Sequence, residues 1–324
     1  MWSQDDNLIK TSALNKKYGE VIAVDGIDLN IKQGEIYGFL GPNGAGKTST
    51  IMMLLGVTSP TSGEIYLFNE RYTPDRLDLR RRIGVVPEKH PRGMWTWMTG
   101  VEYLELFADL FRVRNAGRRI VRLLQQVGLT EAADRKIVGY SRGMLQKLSI
   151  VRALLPDPDM LFLDEPISGL DPIGIRQIRD LVIAENREGR TIFISSHLLS
   201  EMEKVCHRIA IIHRGRLMAE DTMDKLLLKL SSSKDIELDL ENVPEELIGD
   251  IGALDFVIDC SIQDGTVMVK VPTEGDYRKP LSEFLIKKGL IPLRLAEKRL
   301  SLEEAFVTIT NENVSQLTGA GSTS

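Results

Sequence analysis

A glycine-rich octapeptide, Gly41-Pro42-Asn43-Gly44-Ala45-Gly46-Lys47-Thr48, joins two apolar stretches of different period. Ile36 to Leu40 before it reads as a buried strand, and Ser49 to Gly56 after it carries the spacing of a helix. Glycines at these places let successive backbone N–H groups converge on phosphate oxygens, and the helix that follows adds its positive end. Lys47 is placed to neutralise the β and γ phosphates of a nucleotide, and the Thr48 hydroxyl to ligate Mg²⁺.

Mg²⁺ held on one side by a hydroxyl needs a carboxylate on the other. Met160-Leu161-Phe162-Leu163 is an apolar run that ends in Asp164 and Glu165. Asp164 is expected beside the metal, and Glu165 is placed to take a proton from an attacking water. Further strand patterns fall at Ile83–Val86, Thr191–Ile194 and Ile209–Ile212, with helices between. The expected fold is α/β, with a helical insertion over about 90–158. There Leu104, Phe107, Ala108 and Phe111 make one apolar stripe, and Val121, Leu124 and Val127 a second.

Composition shifts near Leu230. Residues 231–324 carry 9 Lys and Arg against 17 Asp and Glu, a balance of −8, which leaves +3 for the first 230 residues. An acidic C-terminal third argues against nucleic acid as its partner, because a phosphate backbone is bound by Lys and Arg. Ser231 to Lys234 reads as a linker. Beyond it the pattern gives strand 236–240, helix 244–250, strands 255–260 and 266–271, helix 277–288 and strand 291–296. That order predicts a small α+β ferredoxin-like domain over 231–310. Ser301 and Glu304 form a capping box for a last short helix, and 311–324 is polar and expected to be disordered. No apolar run reaches the ~18–20 residues that span a bilayer, and Met1 to Lys10 lacks the apolar core of a signal peptide. Cys206 and Cys260 show no metal spacing and are expected to be reduced packing residues. A cytoplasmic protein is the expectation, with any membrane role supplied by a partner.

Taken together, the motifs resemble those of the ATP-binding-cassette (ABC) ATPases, over about residues 7–225. Ser168-Gly169-Leu170-Asp171 looks like the family's D-loop, and Ser195-Ser196-His197 like the segment of its switch histidine. Tyr140-Ser141-Arg142-Gly143-Met144 looks like its signature motif, and Tyr18 stands where the family places a ring against adenine. The resemblance implies a P-loop core of residues 1–230 that binds ATP and Mg²⁺. It implies ATP contacts from Tyr18, from Gly41 to Ser49 and from Asp171, catalysis by Glu165, His197 and Lys47, and Mg²⁺ contacts from Thr48, Glu88 and Asp164. Ser141 and Gly143 would reach the γ-phosphate of ATP held by a second chain. One chain has one P-loop and one signature segment, so two identical chains, or this chain and a close relative, are expected to close on ATP.

Two departures from the family pattern matter: Tyr140, Arg142 and Met144 replace three of the five signature positions, and the second lies at Glu88. Arg142 replaces one of two adjacent signature glycines, and Glu88 stands where the family usually has glutamine. Arg142 would add charge near the nucleotide, and Glu88 would bring charge to the metal.

The resemblance also implies a transmembrane permease subunit, docked beside Glu88, and a peripheral place on the cytoplasmic face of the membrane. Met94-Trp95-Thr96-Trp97-Met98 is apolar for a loop, and its two tryptophans fit either that interface or the subdomain core. Arg299 to Phe306 looks like the end of the accessory domain in ABC-2 type exporters, which favours export. The competing class is an ABC ATPase acting on ribosomes or DNA. Such relatives carry two cassettes or a long coiled coil, and neither a repeat nor heptads occur here. His90, His207 and His213 have no partner in the motifs.

Overall fold

The computed structural model describes residues 7–88, 95–223, 225–226, 233–244, 246–263 and 265–298. The chain divides into two units between Met223 and Asp224. In the first, the order runs β1 (Asn7–Tyr18), β2 (Val21–Ile27), β3 (Asn30–Lys32), β4 (Ile36–Leu40), α1 (Lys47–Leu54), β5 (Ser62–Leu67), β6 (Glu70–Arg71), α2 (Leu77–Arg80) and β7 (Ile83–Val86). A helical stretch follows with α3 (Gly100–Phe111), α4 (Ala116–Gln126) and α5 (Arg142–Leu154). Then come β8 (Met160–Asp164), α6 (Pro172–Arg187), β9 (Thr191–Ser196), α7 (Leu199–Met202), β10 (Arg208–His213) and β11 (Arg216–Thr222).

Two sheets result. β2, β1, β5 and β6 pair side by side and antiparallel, with β3 also on β1. The second sheet has the order β11-β10-β4-β9-β8-β7, parallel except for β11. β4, β8 and β9 are buried along their whole length, as strands covered on both faces must be. That is why they read as continuous apolar runs rather than alternating ones. Phe193 sits at their centre, with ring centroids of Tyr37, Phe39 and Phe162 at 5.9, 5.4 and 5.1 Å. Crossover connections bring the carboxyl ends of the parallel strands to one edge, the position where open α/β sheets bind ligands.

The helical stretch is punctuated as its sequence requires. Thr99 caps α3 with a reciprocal capping box to Glu102, and Arg112 ends it in a left-handed turn at φ 56°. Leu104 and Ala108 are buried as expected, but α4 corrects the second stripe. Ile120, Leu123, Leu124 and Val127 are buried, whereas Val121 is exposed. One residue turns a helix by about 100°, which carries Val121 off the face that Ile120 and Leu124 share.

The second unit is β12 (Ser233–Asp239), α8 (Leu247–Gly252), β13 (Asp259–Gln263), β14 (Thr266–Pro272), α9 (Arg278–Lys287) and β15 (Arg294–Lys298). Its antiparallel sheet has the order β13-β14-β12-β15, the ferredoxin-like arrangement of a βαββαβ chain. Ile236, Leu238, Val267, Val269 and Val271 form its core with Leu281 and Leu285 of α9. Ser233 and Lys234, expected in a linker, instead begin β12 and pair with Pro272 and Val271. Ladder pairing uses the backbone, so polar side chains at a strand's start do not prevent it. The helix expected at 301–306 and the tail at 311–324 lie outside the described residues.

Candidate functional site: a nucleotide cradle at the carboxyl edge of the parallel sheet

Gly41 leaves β4 with no room for a side chain. A Cβ there would lie 2.3 Å from the Ile212 carbonyl oxygen. Gly46, at φ 107°, begins α1, and its Cβ would lie 2.4 Å from the Ala23 carbonyl oxygen. Both glycines are therefore dictated by packing of the loop on β10 and β2. The Gly215 N–H donates to Ala45 O at 2.9 Å and fixes the loop from a third direction. Lys47 is buried and points back into the turn, donating to Gly41 O at 2.7 Å and Pro42 O at 3.3 Å. Asn43, Gly44 and Thr48 are exposed, and Ser49 is half-buried. The loop so leaves Asn43, Gly44 and Thr48 at the surface while its lysine lies beneath. Tyr18, at the end of β1, exposes its ring, with the Lys16 ammonium 5.0 Å from the ring centre.

The carboxylates expected to serve the metal and the water sit directly beside this loop. Lys47 Nζ lies 3.3 Å from Glu165 Oε1. His197 Nδ1 lies 2.8 Å from the other oxygen, Glu165 Oε2. A carboxylate only accepts, so the pairing assigns the proton to Nδ1. Glu165 is itself in the left-handed region at φ 48°, a conformation that costs a non-glycine residue about 1 kcal/mol. Its N–H donates to the Ser195 carbonyl oxygen at 3.2 Å and to Ser195 Oγ at 3.1 Å. The Ser195 hydroxyl in turn donates to Asp164 Oδ1. One fully buried serine on β9 therefore holds both Asp164 at the end of β8 and Glu165 just past it. The motif around His197 assigns Ser195 no role. The available signal was a hydroxyl at the end of an apolar strand, where a buried polar group must have a partner.

Glu88 is exposed just past β7, and its charge acts on Asp164. Burial pushes the Asp164 carboxyl above its ordinary range, and the neighbouring Glu88 and Glu165 push it further. The Ser195 hydrogen bond and Lys47 oppose that shift. Three acids thus face one ammonium, a balance that a divalent cation would correct. Among the described residues no cluster of His, Cys, Asp or Glu forms a closed metal cage. Mg²⁺ fits such an open set, because it keeps several waters and takes its remaining ligands from phosphates.

Ser141 and Gly143 are placed elsewhere. Ser141 is the N-cap of α5 and accepts from the Met144 N–H at 3.2 Å. A Cβ at Gly143 would lie 3.9 Å from Leu170 Cδ2, so the start of α5 faces the segment before Asp171. Asp171 caps α6, accepting from the Gly174 N–H at 2.7 Å. The two tryptophans part company: Trp95 packs edge-on against Tyr103 and Phe107, at 6.3 and 6.0 Å, whereas Trp97 is 65% exposed. Cys206 is buried over Gly38, and Cys260 is half-buried; both are free thiols. His207 Nδ1 accepts from the Ile36 N–H at 3.0 Å, a structural role, and His90 lies outside the described residues.

A glycine loop after β4 with a buried lysine, two acids at the end of β8 and a histidine just past β9, the strand between, define a P-loop ATPase. The ABC transporter family profile matches residues 24–168. A bacitracin transport ATP-binding protein of Bacillus licheniformis is 38% identical over 304 residues, covering 93% of this chain and 97% of that protein. A daunorubicin/doxorubicin resistance ATP-binding protein of Streptomyces peucetius is 38% identical over 72% of this chain and 71% of its own. Among solved structures, the dimeric bacterial ABC transporter cassette MJ0796 superposes with a TM-score of 0.60 at 28% identity, covering 66% of this chain and 98% of that one. The chain belongs to the ATP-binding proteins of ABC transporters, and it is the subunit that binds and hydrolyses ATP. No described helix is long and apolar enough to cross a membrane.

Proposed function

We propose that this chain energises export through a separate permease by closing, with a second copy, on two Mg²⁺–ATP. The observation that carries the reading is the resting pair of contacts on Glu165, to Lys47 at 3.3 Å and to His197 at 2.8 Å. Both partners are groups a γ-phosphate would draw away. ATP entering the loop takes Lys47 onto its β and γ phosphates, with Thr48, Asp164 and Glu88 around the metal. His197 turns its N–H to the γ-phosphate. Glu165 is then released to accept the proton of the attacking water. Bound Mg²⁺ supplies charge neutralisation on the transferring phosphate. Tyr18 stacks on adenine, and Ser141 and Gly143 of the second copy close the site from above. The dimeric state of the MJ0796 cassette supports the last step. So does the exposure of Ser141 at a helix start, where capping and anion binding use the same N–H groups.

The names of the two relatives, one of bacitracin transport and one of drug resistance, support export. The permease docks where the helical subdomain meets the core, beside Glu88 and the exposed Trp97. A groove of about 880 Å³ is lined there by Leu77, Leu110 and Phe111, all exposed, with Arg81, Arg112 and Arg114 along it. Exposed apolar patches of this kind mark interaction sites. A partner segment with apolar side chains and flanking carboxylates fits it. The second unit stabilises the dimer or regulates it, and the chain lies on the cytoplasmic face of the membrane through its permease. Light scattering of Glu165→Gln with Mg²⁺–ATP tests the two-copy site: a dimer is expected, and a monomer at saturating nucleotide would overturn it.

A further inference from the structure

Arg142 is the residue by which the signature segment departs most from its family pattern, and the structure gives it a neighbour in its own chain. Its guanidinium lies against Gly169. A Cβ built on Gly169 would fall 2.1 Å from Arg142 Nη1 and 2.4 Å from Cζ. Gly169 is in the left-handed region at φ 67°. It therefore serves two needs at once, the turn of its loop and a flat bed for the guanidinium. One residue further along each segment, Gly143 approaches Leu170. Arg142 thus lies on Gly169, and the next residue of α5, Gly143, faces Leu170 across the space a side chain would fill.

That loop is the direct continuation of the catalytic segment. Glu165, Ser168 and Leu170 follow one another through tight turns, with the Ser168 N–H donating to Glu165 O at 3.2 Å and the Leu170 N–H to Ile167 O at 3.3 Å. Asp171 anchors its far end as the cap of α6. A displacement at Gly169 has few places to be absorbed before it reaches Glu165.

We propose that Arg142 is a positioning residue that ties the signature segment to the Glu165 loop of the same chain, so that the two sites of the dimer are coupled. This rests on the two-copy reading above. In that dimer the signature segment of a chain faces the ATP of its partner, whereas Glu165 faces its own. ATP seated against Ser141 and Gly143 presses α5, Arg142 transmits the shift to Gly169, and Glu165 of the same chain is set for the other ATP. The competing use of Arg142 is a direct one, its charge placed on the partner's nucleotide. The two uses differ in which chain of the dimer needs the arginine.

Mixed dimers decide between them. Two differently tagged full-length chains are assembled on ATP, purified through both tags and read in a single turnover after Mg²⁺ is added. In the first dimer one chain is Arg142→Ala and the other Glu165→Gln, so the working Glu165 shares a chain with the substitution. In the second, one chain is unaltered and the other carries both substitutions. The proposal expects the first dimer to hydrolyse ATP roughly ten- to a hundredfold more slowly than a dimer carrying Glu165→Gln alone, the loss that a small misplacement of a reacting group brings. It expects the second to match that control. Arg142→Lys, which keeps charge without the flat guanidinium, should behave as Arg142→Ala. Loss in the second dimer and not the first would overturn the proposal in favour of direct contact with nucleotide. Equal rates in all dimers would overturn it outright. Failure of the Glu165→Gln chain to dimerise on ATP would instead remove the two-copy reading beneath it.

Discussion

Lys47 and Glu165 hold each other in the nucleotide-free state, Nζ to Oε1 at 3.3 Å, with both side chains buried. The groups that should bind phosphate and activate water are therefore each other's counter-ions until ATP arrives. Glu165→Gln should keep ATP binding while lowering kcat by about a thousandfold, within the range general-base catalysis contributes. Lys47→Ala should do something different. It leaves a buried carboxylate without its cation, which costs about 3 kcal/mol in comparable sites. A lower urea midpoint without nucleotide, together with lost ATP binding, is the expected pair of results. An unchanged midpoint would mean that the contact carries no stability.

Asp164 makes the opposite prediction for stability. Burial and the charges of Glu88 and Glu165 hold its carboxyl above the ordinary value of 3.8. A carboxyl whose folded value is raised favours the fold at low pH and weakens it as pH climbs past the unfolded value. Asp164→Asn removes that ionisation and can still accept from the Ser195 hydroxyl. It should raise the Tm of the nucleotide-free protein at pH 7, leave it nearly unchanged at pH 3.5, and abolish hydrolysis. A fall in Tm at pH 7 would contradict this account of the acid cluster.

Ser195 is the shared support of the two acids. Ser195→Ala leaves the Asp164 oxygen and the Glu165 N–H each with one partner fewer, at about 1–3 kcal/mol for a buried hydrogen-bonding group. The more telling readout is Mg²⁺. The concentration needed for half-maximal ATPase should rise several-fold, whereas a serine that only filled space would leave it alone.

The two tryptophans separate the core from the docking surface. Trp95, in the aromatic cluster with Tyr103 and Phe107, should cost about 2 kcal/mol when changed to Ser, by loss of packing. Trp97, 65% exposed, should cost less than Trp95. Trp97→Ser should keep basal ATPase and lose stimulation by the permease. Stimulation that survives this change would remove Trp97 from the interface.

What could be read from the sequence follows a physical rule. The cradle was legible because its requirements are local: Gly41 and Gly46 are glycines on account of the carbonyls that crowd them, and Lys47 follows within the same turn. Asp164 and Glu165 were legible because a fully buried strand must end its apolar run where water or a ligand begins. Ser195 was not, since its partners lie some thirty residues back on another strand and only the β8–β9 register brings them together. Val121 was misplaced for a geometric reason, a helix face wide enough that two neighbouring residues compete for its edge. The signature pattern suggests only that Arg142 brings charge near the nucleotide. Its position over Gly169 depends on how α5 meets a loop that begins more than twenty residues away.

The central claim is that this ATPase works on a separate membrane protein. The direct measurement is to purify the tagged full-length chain from its native membranes in mild detergent, identify what accompanies it, and compare ATPase with and without that companion. A polytopic membrane protein in stoichiometric amount that raises kcat is the expected result. Ribosomal or DNA-bound proteins in its place, with no membrane partner, would contradict it.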